Sequence, residues 1–285
     1  MSSSQVVWDV ARPARPSRIP GLTMAGFGGL ARTPADLPLI PHPAVTLAVV
    51  FGGGTVTVTR PGTSGLSGLE VRGSLAAGLG LGSGPVRVRH ADAFGCVQIR
   101  LSPVLAHALL GTGLDELTGL EQVWGRSAGH LAERLAEAPG WAARFALTEQ
   151  ALLARLDGVR ADPEVAWTWR RMRTGGGLVR VDELAGEVGW SRKRLWSRFR
   201  AQIGLAPKQA ARLVRFDVAA HRLAAGVPAA RVAAECGYSD QSHLHRDVLA
   251  STGLTPTALA VAPFLAVDDL AWSSRPVRQD SRACR

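Results

Sequence analysis

Apolar residues recur at a spacing of two in one part of the chain and at helical spacing in the rest, and the change of period divides the sequence. From Val45 the runs VTLAVVF, TVTVT, PVRVRH and CVQIRL alternate apolar and polar positions and are rich in β-branched residues. That pattern predicts a small antiparallel sheet, with Gly52 to Gly54 turning the chain between the first two runs. After Ser102 and Pro103 the period becomes helical in VLAHALLG, LAERLAEA and WAARFALTEQALLARLDG. These helices are expected to cover the sheet or to form a surface for another subunit. Residues 1 to 44 are rich in Pro and Arg with few periodic positions, and only Val6 to Trp8 reads as a short strand. Together these segments predict an α+β N-terminal domain over residues 1–164.

A second pattern occupies Val181 to Gly204. Val181, Leu184, Ala185 and Val188 share one helical face, and Gly189 stands where a turn needs a residue tolerant of positive φ. Ser191 occupies an N-cap position, and Leu195, Phe199 and Ile203 give the next helix a single buried stripe. At about 100° per residue, Lys193, Trp196, Ser197 and Arg200 point farthest from that stripe, flanked by Arg192, Arg194 and Arg198. A basic helix without acids, docked by a partner helix through a glycine turn, has the geometry of a major-groove reader. Taken alone, the stretch also fits an ordinary helical hairpin whose exposed face is solvated by arginines, the less favoured of the two readings.

Val232 to Gly253 repeats the plan, with a turn at Gly237, a cap at Ser239 and a helix burying Leu244 and Val248. Gly237 lies 48 residues after Gly189, and Pro256 lies 49 after Pro207, so the copies differ by one inserted residue. Between them Leu213, Phe216, Ala220 and Leu223 predict a helix from Lys208 to Ala225, ended by Gly226 and Pro228. Eighteen residues span about 27 Å, close to the roughly 34 Å between successive major-groove faces of B-DNA.

The pattern LAxxVGxSxxxLxxxF with GxxP, a connecting helix, then VAxxCGYSDQSHLxR with GLTP resembles the C-terminal DNA-binding domain of AraC/XylS-type transcription regulators. The resemblance covers about Val179 to Ala260. It implies an all-α domain of two helix-turn-helix units joined by a linker helix, with recognition helices in neighbouring major-groove segments. By position it puts base or phosphate contacts on Lys193, Trp196 and Ser197, and on Gln241, Ser242, His245 and Arg246; Ser191, Arg192, Arg194, Arg200, Ser239 and His243 complete the candidate set. The second unit departs from the pattern at Leu244 and Val248, where aromatics are usual, at Leu249, where a basic residue is usual, and at Leu259 and Ala260. With Asp240 and Asp247 set against Arg246, the first unit is expected to supply most of the electrostatic affinity. GCVQIRLSPVLAHALLG through WAARFALTEQALLARL also resembles the N-terminal domain fused to AraC-type modules in actinobacterial regulators, which implies sensing or dimerisation.

Charge follows the same division. Net charge is +1 over residues 1–164, +8 over 165–260 and +1 beyond, so nearly all of the +10 total falls on the segment expected to meet a polyanion. Arg170, Arg171 and Arg173 with Gly175 to Gly177 read as a basic interdomain linker over 165–178, and residues 261–285 as a poorly ordered tail. Cys96, Cys236 and Cys284 are odd in number and lack CxxC spacing, which points to a reducing cytosol and no zinc site. His90, His107 and His130 are isolated from one another, and Trp141, Trp167 and Trp169 fall in helical patterns that assign them to packing. No signal-peptide core or membrane-length apolar run is present, so a cytoplasmic, nucleoid-associated protein is expected.

The function expected is sequence-specific, DNA-binding transcription regulation, with no cofactor and no catalysis. A DNA-docking repair enzyme would need chemistry not visible here: there is no GxSxG elbow, no HExxH and no acidic cluster suited to Mg²⁺. An architectural adaptor is the other alternative. Beyond double-stranded DNA, the partners admitted are RNA polymerase, a small-molecule effector at the N-terminal domain, and a second copy of the chain.

Overall fold

The computed structural model describes residues 8–29, 35–60, 69–79, 81, 84–91, 94–111, 113–114, 116–156, 160–262, 265, 268 and 271–272. Cys284, residues 273–285 of the expected tail, and Val6 and Val7 of the expected first strand lie outside them.

The N-terminal region is built from two antiparallel sheets. The strands are β1 (Trp8–Ala11), β2 (Leu22–Gly29), β3 (Ala35–Leu39), β4 (Val45–Phe51), β5 (Thr55–Arg60), β6 (Leu69–Arg72), β7 (Leu75–Ala77), β8 (Val86–Ala91), β9 (Phe94–Leu101) and β10 (Leu117–Gly119). One sheet has six strands in the order β1-β2-β9-β4-β7-β10, the other four in the order β3-β8-β5-β6. The strands expected from alternation are all present, and β4 shows why: Val45, Leu47, Val49 and Phe51 are buried on one face, with Leu47 opposite Ile99 of β9 and Val49 opposite Val97. Both sheets are larger than the sequence suggests because β2 of one and β3 of the other lie in the Pro- and Arg-rich opening segment. Strand β2 pairs along its whole length with β9, and its glycines answer to packing rather than to a turn. A Cβ on Gly26 would stand 2.3 Å from the Trp141 ring, so only glycine lets that indole lie on the sheet.

Helices α1 (Pro103–Leu110), α2 (Leu120–Trp124), α3 (Ser127–Glu137) and α4 (Trp141–Leu153) follow. They bury Leu109, Leu120, Leu131 and Phe145 in one core with the β4 and β9 faces. The opposite faces of β7 and β9 contribute Leu75, Phe94 and Cys96 to a second core with Val56, Val58 and Val86 of the four-stranded sheet. The architecture is therefore α+β, as expected, in the form of two facing sheets with helices on the outer side of one.

The C-terminal region is all helical: α5 (Pro163–Thr174), α6 (Val181–Glu187), α7 (Arg192–Ile203), α8 (Pro207–Ala224), α9 (Ala229–Glu235), α10 (Gln241–Thr252) and α11 (Pro256–Ala260). Two sequence expectations differ from what is found. Most of the stretch read as a linker is helix α5, which buries Val165, Thr168, Trp169 and Met172. Charge at Arg170, Arg171 and Arg173 masks that apolar stripe in the sequence. Beyond α11, Leu265 and Asp268 are helical and buried, as is Ala271, so this part of the expected tail is packed.

The cores do not follow the change of period. Leu184, Leu195, Phe199 and Ile203 of the first helical pair, together with Ala210, Leu213 and Val214 of α8, belong to the same continuous core as the N-terminal domain. Phe216, Ala220 and Leu223 of α8 belong instead to a separate core with Val232, Leu244, Val248 and Leu259. Helix α8 thus has one end in each core.

Candidate nucleic-acid interface

Two helix pairs, α6–α7 and α9–α10, sit at the ends of α8, and each turns through a glycine: Gly189 at φ +67° and Gly237 at φ +68°, a conformation that side-chain-bearing residues rarely adopt. Ser191 caps α7, its Oγ accepting from the Arg194 N–H at 3.2 Å. The second cap is one residue later than the sequence suggests. Asp240, not Ser239, accepts from the His243 N–H at 2.7 Å, and Ser239 Oγ instead lies 3.2 Å from His243 Nδ1. A carboxylate outcompetes a hydroxyl there because it also favours the positive end of the helix dipole. Ser191→Ala should cost about 0.5–2 kcal/mol of stability, measurable by denaturant unfolding of the full chain.

Counted from the caps, the two second helices are equal. Each runs twelve residues, from Arg192 to Ile203 and from Gln241 to Thr252, and each ends on a left-handed glycine, Gly204 or Gly253. The buried stripe of α7 is Leu195, Phe199, Gln202 and Ile203; Ser191, Lys193, Arg194, Trp196, Ser197 and Arg200 are all exposed, Trp196 by 48%. Arg200 lies over the Trp196 ring at 5.3 Å and Arg194 over Trp190 at 4.5 Å. These cation–π contacts hold both guanidiniums in place without neutralising them. Among the described residues, Lys193 and Arg200 form no salt bridge, and Arg194 acts on Asp162 only at a distance.

Other basic residues counted in the net charge of the region are occupied. Arg192, though exposed, pairs with Asp182 at 2.9 Å. Arg198 holds Asp162 through two hydrogen bonds of 2.7 and 2.8 Å, and these bonds keep the Asp162 carboxyl below the usual range. Arg222 and Arg231 both pair with Glu235.

On α10, Gln241, Ser242, His245 and Arg246 are exposed. His243 is half-buried, its ring edge-on to Tyr238 at 5.2 Å, so it serves the turn more than the outer surface. Asp247 corrects the sequence reading. It is not a surface charge opposing Arg246 but is buried, accepting from Arg212 Nε at 2.6 Å and from the Tyr238 hydroxyl at 2.8 Å. Arg212 was invisible as a candidate because the sequence of α8 reads only as an apolar stripe.

The interface is also joined to the N-terminal domain. The Gly113 N–H donates to the Ala201 carbonyl of α7 at 3.1 Å, and Gln202 accepts from the Asp162 N–H at 2.8 Å. On the other half of α8, His42 Nδ1 meets Asp217 at 2.7 Å. Asp268 carries Arg100 of β9 and stands 3.5 Å from His221 of α8. Among the described residues, no group of His, Cys, Asp and Glu is suited to hold a metal ion, and no helix is long and apolar enough to cross a membrane.

The two helix pairs, each with an exposed polar outer face and the first strongly basic, have the form of paired helix-turn-helix units. Residues 184–260 match the family model described as a helix-turn-helix domain. No curated protein sequence matches the chain at a significant level. Among solved structures, ToxT from Vibrio cholerae is similar with a TM-score of 0.48 and 9% identity, over 86% of this chain and 98% of that one. The C-terminal domain of AraT, a response regulator from Geobacillus stearothermophilus, gives 0.34 and 17%, over 36% of this chain and 87% of that one. The AraC-like transcriptional activator CuxR gives 0.26 and 16%, over 68% and 80%.

Proposed function

We propose that the protein is a sequence-specific regulator that places α7 and α10 in adjacent major-groove segments of promoter DNA, under the control of its N-terminal domain. The observation that carries this reading is the pair of equal, capped helices at the two ends of an 18-residue α8, whose length of about 27 Å suits neighbouring groove faces. Lys193, Trp196 and Arg200 on one helix, and Gln241, Ser242 and His245 on the other, are the groups that meet base edges. A lysine can donate to guanine O6 or N7, and Gln241 can pair with adenine N6 and N7. Ser191, Ser197, Ser239, Arg192, Arg194, His243 and Arg246 serve the phosphates and the turns.

Footprinting and competition binding test the reading. Lys193→Ala should lower discrimination at its base pair by about 1–3 kcal/mol. Arg194→Ala should instead weaken binding to all sequences and reduce the slope of log K against log salt by about 0.9. Equal loss at every position for both variants would overturn the assignment, as would a failure of the wild type to prefer any promoter fragment over scrambled DNA.

Control by a small molecule is part of the same proposal. A ligand that moves the segment at Gly113 would reach α7 through the hydrogen bond from Gly113 to Ala201. Thermal-shift screening against metabolites tests this, and no stabilisation by any compound counts against it. A second copy of the chain and RNA polymerase are the remaining partners in this proposal.

A further inference from the structure

We propose that each recognition helix is fixed in rotation by one ion pair at the same helical position, Asp162–Arg198 for α7 and Arg212–Asp247 for α10, and that these four are positioning residues for base reading rather than DNA contacts. The inference rests on the function proposed above.

The equivalence comes from the caps. Arg198 is seven residues beyond Ser191, and Asp247 is seven residues beyond Asp240. The charge is reversed between the two units, yet in each the side chain is tied to a structural element outside its own helix-turn-helix. Asp162 lies at the start of α5 and takes Arg198 through both carboxylate oxygens. Arg212 lies on α8 and reaches one oxygen of Asp247, while the Tyr238 hydroxyl donates to the other.

Helical geometry explains what such a pair controls. At about 100° per residue, Gln241, Ser242 and His245 lie within some 60° of the direction opposite Asp247, and Lys193, Trp196 and Arg200 stand the same way relative to Arg198. Anchoring the one position therefore aims the opposite face. An apolar stripe alone fixes rotation loosely, because side chains such as Leu244 and Val248 tolerate small rolls that keep them buried. Directional bonds to both oxygens of a carboxylate, buried at Asp247 and partly exposed at Asp162, do not.

Helix α8 adds two further ties to the second unit. The Arg215 guanidinium donates to the Gly237 carbonyl at 3.5 Å and lies over the Tyr238 ring at 4.6 Å, and Arg222 pairs with Glu235 of α9. Residues 212, 215 and 222 fall within an arc of about 80° on α8. One edge of the connecting helix thus holds the turn and both helices of the second unit, which couples its orientation to the first.

The test uses the full chain and a binding site selected from random duplexes with the wild type. Binding is then measured for every single-base change in both halves of the site, alongside melting temperature. Wild-type discrimination of about tenfold or more per read base pair is expected. In Asp247→Asn, discrimination should fall to about twofold in the half read by α10 and stay intact in the other; Asp162→Asn should give the mirror image. Arg212→Lys, which keeps the charge but not the fork, should restore part of what Arg212→Ala loses. If Asp247→Asn does not fold, the Arg212 variants decide, since that side chain is largely solvent-exposed. Folded variants that lose affinity uniformly across both halves, or that keep full discrimination, overturn the proposal. Failure of the wild type to enrich any sequence overturns the underlying function instead, a result distinguishable at the first step.

Discussion

Asp268→Asn is expected to lower the stability of the full chain by about 3–5 kcal/mol, the cost of leaving a buried charge without its partner. The buried charge is Arg100, whose side chain is 8% exposed and whose only acidic partner among the described residues is Asp268, itself 9% exposed. Arg100 also lies over Trp272 at 4.2 Å, a contact that cannot replace the carboxylate. Urea unfolding of the two proteins measures the difference, and a change under about 1 kcal/mol would mean that the pair contributes little.

The same cluster predicts the pH profile. Burial alone would raise the Asp268 carboxyl, but His221 and Arg100 overcome it and hold the group at about 2, below its ordinary 3.8. Its contribution is therefore present above about pH 4 and lost as pH falls through 2. His221 is pushed up to about 9 from 6.5, first by its contact with Asp268, against burial and with help from the Asp217 carbonyl and carboxylate. That contribution is complete below about pH 6.5 and disappears as pH rises through 9. His42, facing the same carboxylates, belongs to the cluster as well. A plateau between these limits is expected for the wild type, and Asp268→Asn should flatten its alkaline edge.

Phe199→Ala should be as damaging, at about 3–5 kcal/mol. The side chain is fully buried in the core that runs from the β-sheet through α5 to α7. Because that core is shared, the loss should appear in the unfolding of the N-terminal domain as well as in DNA binding. Separate probes, one in each region, should report one shifted transition; a shift confined to the helical region would show that the two are energetically independent.

Much of the interface was legible in the chain itself. Gly189 and Gly237, the 18-residue length of α8 and the stripe of Leu195, Phe199 and Ile203 are local features, written in residues a few positions apart. The strands from Val45 to Leu101 were legible for the same reason, since alternation is a local property of a half-buried strand. The opening segment was not, because β2 meets the sheet through glycines such as Gly26, whose role depends on Trp141, far along the chain. Helix α5 was hidden by its arginines, and the cap at Asp240 by the serine before it.

By itself the sequence determined the helical periods, the turns and the identity of the outward residues, all of which follow from dihedral preference and from the spacing of apolar side chains. The tertiary structure decided which charges are free. Lys193 and Arg200 remain available, whereas Arg192, Arg198, Arg212 and Arg222 are matched by carboxylates. Formal charge adds along a chain without regard to position, but ion pairing depends on distance in space. Folding likewise decided that the first unit lies in the main core of the N-terminal domain and that the second has a separate core, against which Ile40 packs, since hydrophobic burial joins whatever surfaces the fold brings together.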